Sequence, residues 1–546
     1  MTHHTASRRL RLIASLTVAG ICAAACSGGD SVIDAGRDDD PIVTDATPPA
    51  GDVDETDQEE PPPIDAADDP ESDSVESRST ESDDSESGEP VAAPSDSEPL
   101  VEESPLGDLP PCPVDALDAA DGPVEITMWF GLADALGTEL EALAAQYNAA
   151  QDRVVVEIDN QIDYESTIDS YLQLGVDQRP EVLLAPEFVV QTFAESGTFV
   201  PLEACAEAAD YDTSMFLPRA LNAYAYDAVQ WALPFNVSSP VLYFVEPRFE
   251  AAGLDPADPP LTPDDLRQAS EALVSSGAAT YGVVVDVARD SAGGYFEQWF
   301  GHAGAPFVDN DNGRSGRATE VLFDNATGRA ALEFLRSMRA DGLSFNVGQN
   351  TGGLDSFLKL VDPTEPGAMT VSTSAALTQV LDALDGGLGG DLTRDDLGVG
   401  PLPGPTDSPA AQVGGASLWI PADKGDAATA AAWDFASFLL EAQTQSTWAA
   451  ATGYVPVRTD AVELDPIATV FTDDPRFRVS YDQLAAPTDD SAAARPALGP
   501  QREVRQAVVD AIARIYDDPE GVDIDALLDE TAVTANTLIR NYNDLN

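Results

Sequence analysis

Three short, nearly uninterrupted apolar runs, each parted from the next by a helical stretch, constrain the fold of this chain more than any other feature. Val124 to Trp129, Val154 to Ile158 and Glu181 to Ala185 read as strands buried on both faces. Between the first two, about Thr138 to Ala150 sets Leu140, Leu143, Ala144 and Tyr147 on one helical face, and Asp163-Tyr164-Glu165 opens a further helix. Strands and helices in this order predict a parallel sheet covered on both sides, with ligands at the carboxyl ends of its strands. That places Trp129, Tyr164 and Glu187 around one cleft. The alternation resumes over about 241–413, with a strand Tyr281 to Val287, a helix Thr327 to Ala340 and a strand from Ala368 into Ser372-Thr373-Ser374. A chain of 546 residues is too long for one core, and two packed lobes follow.

Three stretches carry polar groups where apolar ones would pack as well. Trp231 to Phe244 is an apolar run around Asn236, Ser238 and Ser239, whose side chains need backbone or ligand partners once buried. Gly414 and Gly415 free the backbone before a strand to Ile420. Asp426 is set to cap a helix, and a second helix holding Trp448 stops at Gly453, displaying Tyr454 on a bend before Pro456. Arg505 stands near a helix start, against the helix dipole, and calls for an anionic partner from the protein or a ligand.

The N-terminus reads as an export signal. Arg8, Arg9 and Arg11 precede an apolar segment, Leu12 to Ala25, too short to span a bilayer. It ends Ala23-Ala24-Ala25-Cys26-Ser27-Gly28-Gly29, which resembles a bacterial lipobox, with Ala23 in place of the usual Leu. A lipid on Cys26 would anchor the protein to the outer face of the cytoplasmic membrane; simple A-x-A cleavage beside an incidental Cys is the rival. Residues 27–110 are rich in Asp, Glu, Ser and Pro and nearly free of aromatics, which predicts an extended acidic tether. The cysteines left, Cys112 and Cys205, are expected to pair outside the cell.

A formal charge of −70 excludes the basic face that nucleic-acid binding requires. Lys359 and Lys424 are the sole lysines, so nearly all positive charge is Arg; a saline habitat and a codon bias explain this equally. Beyond the signal His302 is the one histidine, which leaves no Ser-His-Asp triad or His-built metal site. Asp309-Asn310-Asp311-Asn312-Gly313 glances at a calcium loop, but its Gly is one place early and no Glu closes it, so a solvated turn is expected. Among so many acidic residues, a glycosidase pair would be uninformative.

The stretch Gly414 to Arg458, with its Gly pair and its Gly453-Tyr454-Val455-Pro456 turn, resembles the carbohydrate-type extracellular solute-binding proteins of ABC importers. Pro234 to Pro240 (PFNVSSP), Phe249 to Pro256 and Thr262 to Leu266 resemble that family too. The resemblance implies an α/β, two-lobed periplasmic-binding-protein-like fold with a hinge and a ligand cleft between lobes. It implies a binding protein rather than an enzyme, monomeric, with no cofactor or metal, partnered by ABC permease membrane subunits. The lobes would comprise 111–240 plus 414–453, and 241–413 plus 454–546.

Over 120–546 the chain is most similar to the branch that binds glycerol-3-phosphate. That resemblance implies a ligand set of Tyr164, Glu187, Ser238, Ser374 (or Thr373), Gly415, Tyr454 and Arg505, with Arg502 the lesser choice. The branch has a Trp where this chain reads Arg289-Asp290-Ser291-Ala292-Gly293-Gly294-Tyr295. Its loss makes room for a bulkier glycerophosphodiester, such as glycerophosphocholine, or for a sugar.

Overall fold

The computed structural model describes residues 109–546 apart from 133, 287–293, 349–353, 407–410 and 488–493. The export signal, Cys26, nearly all of the acidic segment and residues 289–293 therefore lie outside the described residues.

The apolar runs form strands where the sequence predicts them. In the first lobe these are β1 (Val124–Phe130), β2 (Val154–Asn160), β3 (Val182–Pro186) and β4 (Phe199–Val200). A hairpin of β5 (Ala225–Tyr226) and β6 (Val229–Gln230) precedes β7 (Leu233–Ser238). The second lobe holds β8 (Pro240–Val245), β9 (Tyr281–Val285), β10 (Ser344–Asn346), β11 (Gly367–Thr373) and β12 (Leu397–Gly400). The chain then returns to the first lobe as β13 (Gly414–Pro421).

The first sheet runs β2-β1-β3-β13-β4, with β7 also paired to β13. β1 is parallel to β2 and β3, but β13 is antiparallel to β3, β4 and β7, so the sheet is mixed and not purely parallel. The reason lies in the connections. β1 to β3 are joined by helical crossovers, whereas β13 re-enters from the other lobe and no crossover fixes its direction. The second sheet, β10-β9-β11-β8-β12, repeats the pattern: β9 is parallel to β10 and β11, and β8 antiparallel to β11 and β12.

The first core gathers around Trp419 of β13, edge-on to Phe193 and Phe199 at 5.2 Å each. A disulfide joins Cys112 to Cys205 beside it. The second lobe builds a core on each face of its sheet and a third from the helices Ala326–Ala340, Gln501–Asp517 and Ile524–Leu545.

Two details of the sequence reading are corrected. Much of 454–484 packs into the first core, where Val455, Val457, Ile467, Phe471, Tyr481 and Leu484 are buried, while Arg476, Phe477 and Val479 reach the second lobe. Val455 N donates to Val237 O at 2.7 Å and Leu217 N to Val457 O at 2.9 Å, which stitches this segment alongside β7 before the chain leaves for the second lobe. At the helix Asp426–Leu439, Gly425 takes the cap position with φ 88°, and Asp426 is the first helical residue.

Candidate functional site

The site is where the lobes meet, and each element delivers its residue for a local reason. Glu187 follows β3 directly, where Pro186 ends the strand, and is buried. Ser238 ends β7 opposite Gly414 in the β13 pairing; a Cβ on Gly414 would lie 3.5 Å from Ser238 Oγ and 3.8 Å from Arg495 Nη1. Gly415 has φ 100°, and a Cβ there would lie 2.0 Å from Asn236 O, so only glycine lets β13 approach β7 this closely.

Tyr164 and Tyr454 form the aromatic side. Asp163 caps the helix Tyr164–Gln173 by accepting from Ser166 N at 2.7 Å, which fixes Tyr164 at its first turn. Gly453 terminates its helix in the left-handed conformation, as the sequence predicts, and turns Tyr454 back onto Trp448 in a stack at 5.8 Å and 12°. Asn236 Nδ2 donates to the Tyr164 hydroxyl at 2.6 Å, and the two phenols are hydrogen-bonded to each other. Burial raises both phenols above the ordinary range, so each remains a neutral O–H at physiological pH.

Arg505 points inward from the helix Gln501–Asp517 and is buried. Its anionic partners are protein groups. Nε donates to Glu297 Oε1 at 2.8 Å and Nη2 to Glu297 Oε2 at 2.9 Å, while Glu187 Oε1 of the other lobe lies 3.2 Å from Nη2. Arg495 Nη1 donates to the same Glu187 oxygen, and its Nε stands 3.6 Å from Glu297 Oε2. Gln501 Nε2 adds a bond of 2.8 Å to Glu297 Oε1. Burying two carboxylates and two guanidiniums is sustainable only when all four are mutually compensated. Arg502 does not join them: half-buried, it pairs with Glu165 and lies over the Phe188 ring at 5.9 Å.

Three buried polar atoms around this cluster lack a hydrogen-bond partner: the Tyr224 hydroxyl, Asn236 Oδ1 and Arg495 Nε. Ser374 is placed differently. Its N donates to Ser239 O at 2.9 Å and its Oγ accepts from Ser239 N at 3.4 Å, so it braces the β7–β8 crossing, while its carbonyl would lie 3.5 Å from a Cβ on Gly453. Ser239 is likewise occupied, by Ser480 at 2.7 Å and Gln483 at 3.0 Å.

The Asp309–Gly313 motif also has a structural task. Asn310, Asp311 and Asn312 are all left-handed, which Asn and Asp tolerate best. Asn312 is not solvated but buried: Oδ1 accepts from Phe307 N at 2.9 Å and Val308 N at 3.2 Å, and Nδ2 donates to Ala494 O at 2.8 Å. The turn aims Arg314 across the lobes, where Nη1 donates to Ala223 O at 3.0 Å and Ala225 O at 2.8 Å and Nε to Arg495 O at 3.0 Å. Burial lowers the Arg314 pKa to about 10, so it stays charged.

Sequence reading did not find Glu297, Arg495, Tyr224 or Arg314. The available signal for Glu297 was a lone carboxylate inside the aromatic helix Gly294–Ala303. For Arg495 it was an isolated Arg in an Ala/Pro loop.

The sequence pattern of the bacterial extracellular solute-binding proteins matches residues 142–479. The chain belongs to that family. This solute-binding protein is the substrate-binding component of an ABC importer and not an enzyme. It is 26% identical over 389 residues to the sn-glycerol-3-phosphate-binding periplasmic protein UgpB of Pectobacterium atrosepticum, covering 67% of this chain and 80% of that protein. With UgpB of Yersinia pseudotuberculosis it shares 24% over 445 residues, 77% of this chain and 94% of the relative. Among solved structures, UgpB from Mycobacterium tuberculosis in complex with glycerophosphocholine aligns at TM-score 0.62 and 20% identity, over 78% of this chain and all of that one. The cyclic alpha-maltosyl-1,6-maltose binding protein from Arthrobacter globiformis aligns at TM-score 0.63 and 21% identity, over 77% of this chain and all of that one. The two-lobed solute-binding fold is thus shared with binders of phosphodiesters and of sugars alike.

Proposed function

We propose that this solute-binding protein captures a glycerol-phosphate-type ligand between its lobes and delivers it to the permease. The observation that carries the reading is the buried Arg495–Arg505 pair facing Glu187 across the lobe boundary. Ser238 and Arg495 flank Gly414, and Tyr224 stands between Arg495 and the Tyr164–Tyr454 phenols. In this reading Arg505 and Arg495 give their forks to phosphate oxygens, which match guanidinium geometry. Glu187, released from them, accepts from glycerol hydroxyls. Ser238, Tyr454 and the backbone at Gly415 donate, Tyr164 forms the wall, and Ser374 acts by bracing the hinge. The curated relatives named for sn-glycerol-3-phosphate and the glycerophosphocholine complex support the class. Cys26, where lipidated, would hold this monomer at the outer face of the cytoplasmic membrane, with the acidic segment as tether.

A second reading, a sugar or oligosaccharide, is favoured by the mutual neutralisation of the two arginines by two carboxylates. Parallel calorimetric titration with glycerol-3-phosphate, glycerophosphocholine and maltose separates the two. Binding of either phosphate compound supports the proposal, and binding of maltose alone replaces it.

A further inference from the structure

The charge balance at the lobe boundary has a consequence for what the cleft accepts. Two guanidiniums, Arg495 and Arg505, face two carboxylates, Glu187 and Glu297. Arg314, the next cation, faces Asp311 and Glu187. Tyr224 faces Glu187 and Arg495, with Tyr164 and Tyr454 next to it, and burial holds all three phenols neutral. Backbone carbonyls hold Arg314, so three guanidiniums stand against the two buried carboxylates. Of the two carboxylates, Glu187 comes from the opposite lobe and sits on one Arg505 nitrogen, so a ligand oxygen can take its place. Glu297 cannot be displaced in the same way. It is fully buried, holds Arg505 at two points, is fixed by Gln501, and belongs to the same lobe as Arg505.

We propose that Glu297 determines ligand charge: it keeps Arg505 permanently compensated, so the cleft accepts a ligand with at most one negative charge and rejects a dianion. This rests on the phosphate-site reading above and deepens it, because it selects a phosphodiester over a phosphomonoester. With Arg314 counted, a singly charged ligand that replaces Glu187 on the arginines brings the closed cleft to balance. A dianion leaves one excess negative charge, in surroundings where charges interact several-fold more strongly than in water.

The test titrates the wild-type protein with glycerol-3-phosphate and with glycerophosphocholine between pH 8 and pH 5. The phosphomonoester dianion takes up one proton near pH 6 and becomes a monoanion, whereas the diester keeps its single phosphate charge, beside a fixed quaternary ammonium, throughout and reports any change in the protein itself. The diester is expected to bind about tenfold or more tighter at pH 8. The glycerol-3-phosphate affinity is expected to rise toward that of the diester as pH falls through about 6. Glu297→Gln should erase the preference at pH 8, and Glu297→Asp should keep it. Should Glu297→Gln fail to fold, the wild-type pH titration decides alone. Equal affinities at pH 8 with no rise on acidification overturn the role of Glu297 and leave the phosphate site standing; no binding of either phosphate compound overturns both.

Discussion

Arg505 and Glu297 close a two-point ion pair from two helices of one lobe, at 2.8 and 2.9 Å, and Glu187 of the other lobe reaches the same guanidinium at 3.2 Å. The arginine therefore joins a contact within one lobe to a contact between lobes. In the proposed reading a ligand competes for the second and leaves the first in place, so that one residue would serve both the fold and lobe closure.

The two candidate arginines should separate cleanly. Arg505→Ala leaves Glu297 and Glu187 buried without their main partner, which should cost about 3–5 kcal/mol of stability and abolish binding. Arg505→Lys keeps the charge but not the fork and should lower affinity at least tenfold. Arg502 is half-buried on Glu165, so Arg502→Ala should cost no more than about 1 kcal/mol and leave affinity nearly unchanged. Urea denaturation together with calorimetry checks all three.

Gly415 is irreplaceable on two counts, a φ of 100° and a carbonyl 2.0 Å from where a Cβ would stand. Gly415→Ala should cost about 2 kcal/mol or more by strain and by parting β13 from β7. A fall in the unfolding midpoint of Gly415→Ala, set against an unchanged midpoint for Gly122→Ala, where no atom lies within 4 Å of the added Cβ, is the expected result.

Asn312 holds the left-handed turn that aims Arg314 across the lobes. Asn312→Ala removes three hydrogen bonds and strands the Phe307 and Val308 N–H groups, a loss of about 2–4 kcal/mol. Asn312→Asp keeps the acceptor for both N–H groups and should recover part of that loss in thermal unfolding.

His302 predicts how stability varies with pH. Burial, and then the Arg219 charge, lower its pKa from 6.5 to about 4, so the folded protein holds it neutral. Between about pH 6.5 and 4 the unfolded chain binds the proton and the native state does not, so this residue's contribution falls as pH falls. From pH 7 to pH 5 the wild type should lose about 2 kcal/mol relative to His302→Gln. Comparing the two proteins cancels the change in overall acidic repulsion, which they share.

Much of this was legible in the chain itself. Near-continuous apolar runs marked β1, β2 and β3, and Gly453 announced the bend that displays Tyr454, because strand burial and helix termination depend on a few adjacent residues. The anionic partner that Arg505 demanded was foreseen, but not which one. Glu297 is separated from Arg505 by 208 residues and sits in an aromatic helix without a motif. The pairing is fixed only when two helices pack. The same holds for β13, whose antiparallel entry depends on the other lobe, and for Asn312, whose burial depends on Ala494.

The most direct test of the central claim is the crystal structure of the complex with glycerophosphocholine. The account predicts phosphate oxygens within about 3 Å of the Arg505 and Arg495 guanidiniums. Glu187 should turn from them to the glycerol hydroxyls, and Glu297 should stay on Arg505. A phosphate bound away from both arginines, with the Glu187 contacts intact, would contradict it.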